Sequence, residues 1–130
     1  IYDNLSLIFS EKTINGKDYN SLDYLMDSKQ IEVEALSYIR GRSIPKQFII
    51  IDEAQNLTPH EVKTIVSRAG EGTKIILTGD PDQIDHPYLD ANSNGLTSTA
   101  ERFKHLSFSG HMLLVKTERS ELAAAASELL

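Results

Sequence analysis

Residues 48–59 read FIIIDEAQNLTP, four apolar residues running into the acid pair Asp52-Glu53, then Ala54-Gln55 and a turn. An apolar run of this length without alternation predicts a short strand covered on both faces. Acids at the carboxyl end of such a strand serve either as caps for the next turn or as partners for a metal and a nucleotide. Thr58-Pro59-His60-Glu61 opens the next element. Threonine can cap, proline suits the first helical position, and Glu61 completes a capping box. The helix that follows shows Val62, Ile65, Val66 and Ala69 on one face and is expected to stop at Gly70. Thr73 to Leu77 predicts a second apolar strand, ending in TGDPDQ.

Working outward, YDNLSLIFS (2–10) and SLDYLMDSK (21–29) read as short helices, the second with Leu22, Leu25 and Met26 inward. IEVEAL (31–36) alternates apolar and acidic residues, the pattern of a strand with one wet face. Asn94-Gly95 precedes a helix through Ala100 and Phe103. MLLV (112–115) predicts a third buried strand, and ERSELAAAASELL a closing helix. Strands separated by helices define an α/β fold with a mostly parallel sheet flanked by helices. In such sheets ligands sit beyond the carboxyl ends of the strands. Three polar clusters fall there: Asp52-Glu53, Thr78-Gly79-Asp80 and Lys116 to Arg119.

The chain has 130 residues, the size of one domain, with 40% hydrophobic and 25% charged residues. A formal net charge of −6 argues against coating nucleic acid by charge alone, although a local basic patch can still steer binding. With no cysteine there is neither a disulfide framework nor a thiolate metal site, which suits the cytoplasm. No apolar run approaches a membrane span. The four histidines lack zinc-ligand spacing. Asp80, Asp82, Asp85 and Asp90 lack the EF-hand register and suit turns and caps better.

Phosphoryl transfer asks a protein for metal placement, water placement and positive charge on the leaving phosphates. Asp52 is placed to hold Mg²⁺, Glu53, on the other side of the pleat, to orient or deprotonate water, Gln83 to contact phosphate or water, and Arg119 to supply charge. Singly, each also has a plain structural reading as cap, turn or surface ion-pair residue. A Walker A loop, G-x-x-x-x-G-K-[ST] between strand and helix, does not occur. Gly16-Lys17 is followed by Asp18, and Gly70-Glu71-Gly72-Thr73-Lys74 leads into a strand rather than out of one. Arg40, Arg42 and Lys46 form the one basic segment near the rim, either a solvated turn or a contact to RNA phosphate or to nucleotide on a neighbouring subunit.

IIIDEAQN, LTGDPDQID and the TERSELA helix closely resemble the PhoH family of P-loop ATPases, which look like relatives of superfamily-one helicases. YIRGRSIP and PYLDANSNGL resemble the same family, and only the first thirty residues carry little of the likeness. The resemblance implies a partial RecA-like P-loop NTPase core. Residues 1–130 would then be a single domain, the later portion of a PhoH-like ATPase domain, with the Walker A segment upstream. It assigns Asp52 to Mg²⁺ and Glu53 to the catalytic carboxylate. Gly79, Asp80 and Gln83 fall on a GDxxQ motif whose glutamine senses the γ-phosphate of ATP. Arg119 falls on a later arginine that reaches the same phosphate, although Glu118 replaces the aromatic residue of that motif. Expected partners are ATP with Mg²⁺, single-stranded RNA through Arg40 and Arg42, and further copies in a homo-oligomer, with no membrane. The isolated fragment is expected to be inactive. A non-catalytic RNA- or partner-binding module on the same fold is the alternative.

Overall fold

The FIII run forms β1 (Phe48–Ile51), and the apolar run that follows the next helix forms β2 (Lys74–Leu77). They pair in parallel with Ile49 opposite Ile75 and Ile51 opposite Leu77. Between them lies α2 (Pro59–Val66), and before and after them α1 (Leu22–Asp27) and α3 (Gly95–Phe103). The computed structural model describes residues 22–39, 41, 43–115 and single positions 5, 120, 122 and 125. Apart from those single positions, the expected helix at 2–10 and the closing helix lie outside the described residues, as do Arg40, Arg42 and Arg119. This is an α/β fold with a two-stranded parallel sheet and helices, consistent with part of a P-loop NTPase core. No helix among the described residues is long and apolar enough to cross a membrane.

Parallel pairing at this register puts Ile49, Ile51, Ile75 and Leu77 on one face. There they meet Ala54, Leu57 and Ile65, together with Leu36 and Leu96. The other face carries Phe48 and Ile50, 62% and 60% exposed, so among the described residues β1 is covered on one face and not on both. The unbroken apolar run therefore does not report two-sided cover here.

The α2 start follows its sequence closely. Thr58 Oγ1 accepts the Glu61 amide at 3.2 Å, and Glu61 Oε2 accepts the Thr58 amide at 2.8 Å. Such a cap contributes about 1 kcal/mol. Burying Val62 and Ile65 contributes about 1.5–3 kcal/mol each, so packing holds the helix and the cap decides where it begins. The helix ends at Val66, short of Gly70, because Ala69 instead bridges to Ile44.

At the start of α3, Asn94 is fully buried. Its Oδ1 accepts the Thr97 amide at 2.9 Å, while Nδ2 donates to the carbonyls of Asp90 and Ala91. Gly95 donates its amide to the Leu57 carbonyl at 2.7 Å. A Cβ there would stand 2.8 Å from that oxygen and 2.5 Å from Val62 Cγ2, so the close approach requires glycine.

Two expected strands do not form. Residues 31–35 lack regular structure, with Val33 51% exposed, and Leu36–Tyr38 is a 3₁₀ turn. Met112, Leu113, Leu114 and Val115 are all exposed and unpaired in any sheet. A strand needs a neighbour for its N–H and C=O groups, and among the described residues neither segment has one. The chain divides into two compact units between Thr99 and Ala100. Within the second, Lys104 donates to Glu101, an exposed pair worth little to stability.

Thr58→Ala is expected to cost about 1 kcal/mol, read as a lower urea midpoint at unchanged slope. An unchanged midpoint would contradict the capping role. A second expectation concerns Asp90, exposed before α3. The amides of Asn92 and Ser93, and then the Ser93 hydroxyl, hold its carboxyl below its ordinary value of 3.8. A carboxyl lowered on folding stabilises above its unfolded value, and that contribution is lost as pH falls through the folded one. The Asn92 and Ser93 amide shifts should therefore titrate with a midpoint below 3.8. A midpoint at or above it would contradict these bonds.

Candidate functional site

Parallel strands in register end at the same edge, so residues 52–56 and 78–83 emerge side by side. The Thr78 amide donates to the Ile51 carbonyl, and the Ala54 amide to the Thr78 carbonyl, both at 2.9 Å. These two bonds extend the ladder just past the strands and fix the spacing of the two exits.

Asp52 is exposed, and its Oδ1 accepts Thr78 Oγ1 at 2.8 Å. One oxygen is thereby oriented while the carboxylate still faces solvent. Glu53 does not continue the pleat as expected. Its backbone is left-handed, φ 54° and ψ 37°, and it turns the chain into the 3₁₀ segment Ala54–Asn56. A non-glycine residue in this region costs roughly 1–2 kcal/mol and persists only where its surroundings hold it.

What holds it is Gln55, fully buried beneath the rim. Gln55 Nε2 donates to Glu53 Oε2 at 2.6 Å and to the Gln83 carbonyl at 2.9 Å. Its Oε1 accepts the Asp80 amide at 3.2 Å. Residues 80–83 also close on themselves. Asp80 Oδ2 accepts Gln83 Nε2 at 2.6 Å, and Oδ1 accepts the Asp82 amide at 3.0 Å. Beyond them the Asp85 amide donates to Asn56 Oδ1 at 2.7 Å. Gly79 passes directly over Gln55. A Cβ at 79 would overlap Gln55 Oε1 and stand 3.2 Å from the Ala54 nitrogen.

Five of the residues singled out from sequence, Asp52, Glu53, Gly79, Asp80 and Gln83, thus sit on two adjoining segments. Gln55 links Glu53 to Asp80 and Gln83, and Thr78 orients Asp52. The expected third cluster at 116–119 lies outside the described residues. Gln55 and Thr78 had no assigned role in the sequence. The spacing of a glutamine two places after an acid does not tell a buried carboxamide from an exposed one. Among the described residues no group of three or more histidines or acids is arranged to hold a metal. Mg²⁺ at a nucleotide needs only one or two carboxylates beside phosphate oxygens and water, and the exposed, Thr78-oriented Asp52 fits that requirement.

A polar rim at the carboxyl edge of a parallel sheet is where α/β proteins of this class bind their ligands. The model of the PhoH family, PhoH-like protein, matches residues 1–129, and the chain belongs to that family. It is 58% identical over 131 aligned residues to Protein PhoH2 of Bacillus subtilis, covering all of this chain and 28% of that protein. Against Protein PhoH2 of Thermobispora bispora it is 32% identical over 130 residues, again 28% of the relative. A PhoH-like protein of Synechocystis is 49% identical over 63 residues, 48% of this chain and 19% of that one. The chain therefore spans little more than a quarter of the length of the PhoH2 relatives. At the coarse level, the family is one of P-loop-type nucleotide-binding proteins.

Gly79→Ala is expected to destabilise the fold by about 1–3 kcal/mol, since a Cβ there would overlap the buried Gln55 Oε1, which the Asp80 amide engages, and press on the Ala54 nitrogen. Chemical unfolding measures it, and a change below about 0.5 kcal/mol would contradict this packing.

Proposed function

We propose that this chain supplies the Mg²⁺- and water-handling rim of an ATP-hydrolysing site within a longer protein. The carrying observation is the hydrogen-bonded network that joins Glu53 to Asp80 and Gln83 beside the Thr78-oriented Asp52. Asp52, Glu53 and the 80–83 turn lie on adjoining segments where two parallel strands end, and family membership supports nucleotide as the ligand.

In this reading Asp52 holds Mg²⁺, which when bound neutralises charge on the phosphates. Glu53 orients and deprotonates the attacking water. Gln83 contacts the γ-phosphate, and Gly79 and Asp80 shape the turn that presents it. Arg119 supplies positive charge to the same phosphate, and Arg40 and Arg42 contact RNA. Residues 1–130 act as the later portion of an ATPase domain whose phosphate-cradling loop comes from elsewhere in the protein, so the segment alone does not turn over ATP. The hydrolysis is coupled to work on RNA or other nucleic acid.

The test is steady-state Mg-ATP hydrolysis by this segment within a protein of the relatives' length. Glu53→Gln is expected to lower turnover at least about 100-fold, with folding unchanged because the amide keeps the shape. Turnover unaffected by Glu53→Gln would contradict the catalytic assignment. No hydrolysis in the unsubstituted protein would favour a non-catalytic module on the same fold.

A further inference from the structure

We propose that Gln55 is a positioning residue that makes the orientation of the Glu53 carboxylate conditional on the docking of the 79–83 turn. A primary amide has two donor protons and a carbonyl oxygen. In Gln55 all are engaged: the protons on Glu53 Oε2 and the Gln83 carbonyl, the oxygen on the Asp80 amide. The side chain is fully buried, so water does not replace a lost partner, and each orphaned group would be left unsatisfied.

The carboxamide is planar, and its partners belong to different segments. Glu53 leaves β1, whereas Asp80 and Gln83 follow β2. If the turn lifts, the Asp80 amide and the Gln83 carbonyl leave together. The plane of the carboxamide is then no longer fixed, and neither is the proton that orients Glu53. Glu53 has reason to respond, because its carboxylate is exposed and its backbone is already in the left-handed region. Gly79 makes the connection possible by leaving the space that Gln55 Oε1 occupies.

Coupling of this kind acts in both directions. A ligand that engages Asp80 or Gln83 and shifts the turn is felt at Glu53, and a change at Glu53 is felt at the turn. The kinetic consequence rests on the hydrolysis reading above; the coupling itself does not.

Amide hydrogen exchange at Asp80, resolved by NMR in the full 130-residue chain, tests the coupling without any activity. The Glu53 carboxylate bonds Gln55, so Glu53→Ala removes no hydrogen bond to the turn itself. It is nevertheless expected to accelerate Asp80 exchange about threefold or more, the loosening expected from one lost hydrogen bond. Gln55→Met, close in volume and unable to make these bonds, should accelerate it at least as much. In that background, adding Glu53→Ala should have no further effect. An Asp80 rate unchanged by Glu53→Ala overturns the proposal, as does an equal acceleration in the Gln55→Met background. Should Gln55→Met fail to fold by circular dichroism, the Glu53→Ala comparison decides alone.

In a protein of the relatives' length, Gln55→Met is expected to lower kcat for Mg-ATP about 100-fold with KM within about twofold, as for a misoriented catalytic group. An unchanged kcat overturns the positioning role. A protein that hydrolyses no ATP even unsubstituted removes the hydrolysis reading and leaves the coupling to the exchange result.

Discussion

A single buried carboxamide sets the geometry of this molecule's polar edge. Gln55 lies where β1 and β2 end, and a buried primary amide is tolerated only when its donors and acceptor are matched. The requirement propagates outward. Glu53 must turn into the left-handed region to offer its carboxylate. Gly79 must lack a side chain, and the Asp80 amide and Gln83 carbonyl must both face inward. The turn residues are then left to bond among themselves, as Asp80 does with Gln83 and Asp82. The rim is hydrogen-bonded from below, with Asp52 and Glu53 exposed above, the arrangement a site needs if its acids are to be oriented before a ligand arrives.

The apolar side of the fold makes that arrangement affordable. Parallel register directs Ile51 and Leu77 into one cluster with Ala54 and Ile65, directly under the strand ends. Ala54 is fully buried between the acids and the glutamine, so the 3₁₀ segment is seated on the core rather than suspended from it. Leu96 packs on the same cluster, brought there by the glycine contact between the α3 start and the Leu57 carbonyl. The opposite face, with Phe48 and Ile50 exposed, takes no part in holding the rim.

Features that depend on neighbouring residues in the chain were legible in the sequence. The Thr58–Glu61 capping box, the Asn94-Gly95 helix start and the two apolar runs of β1 and β2 all appear where their residues place them. Features that depend on a distant partner were not. Alternation at 31–36 and the apolar run at 112–115 describe what a strand would look like, but no strand forms without a pairing edge. The unbroken apolar β1 did not reveal which face would be covered. The site lay between these cases. The acids and the GDPDQ turn stood out because they fall at matching strand ends, although each alone reads as a common cap or turn. Gln55 did not, because its burial follows from the left-handed turn at Glu53, which no local pattern announced.

The most direct test of this account is the side-chain amide of Gln55 in an ¹⁵N-resolved NMR spectrum of the chain. Two bonds of unequal partner, a carboxylate at 2.6 Å and a carbonyl at 2.9 Å, predict two well-separated Nε2 proton resonances in slow exchange with water. One should show a cross-relaxation contact to residue 83. Resonances clustered with those of solvent-exposed glutamines, exchanging freely and without that contact, would mean that the carboxamide does not join the two strand ends. The rim would then lack the support on which its chemistry is argued.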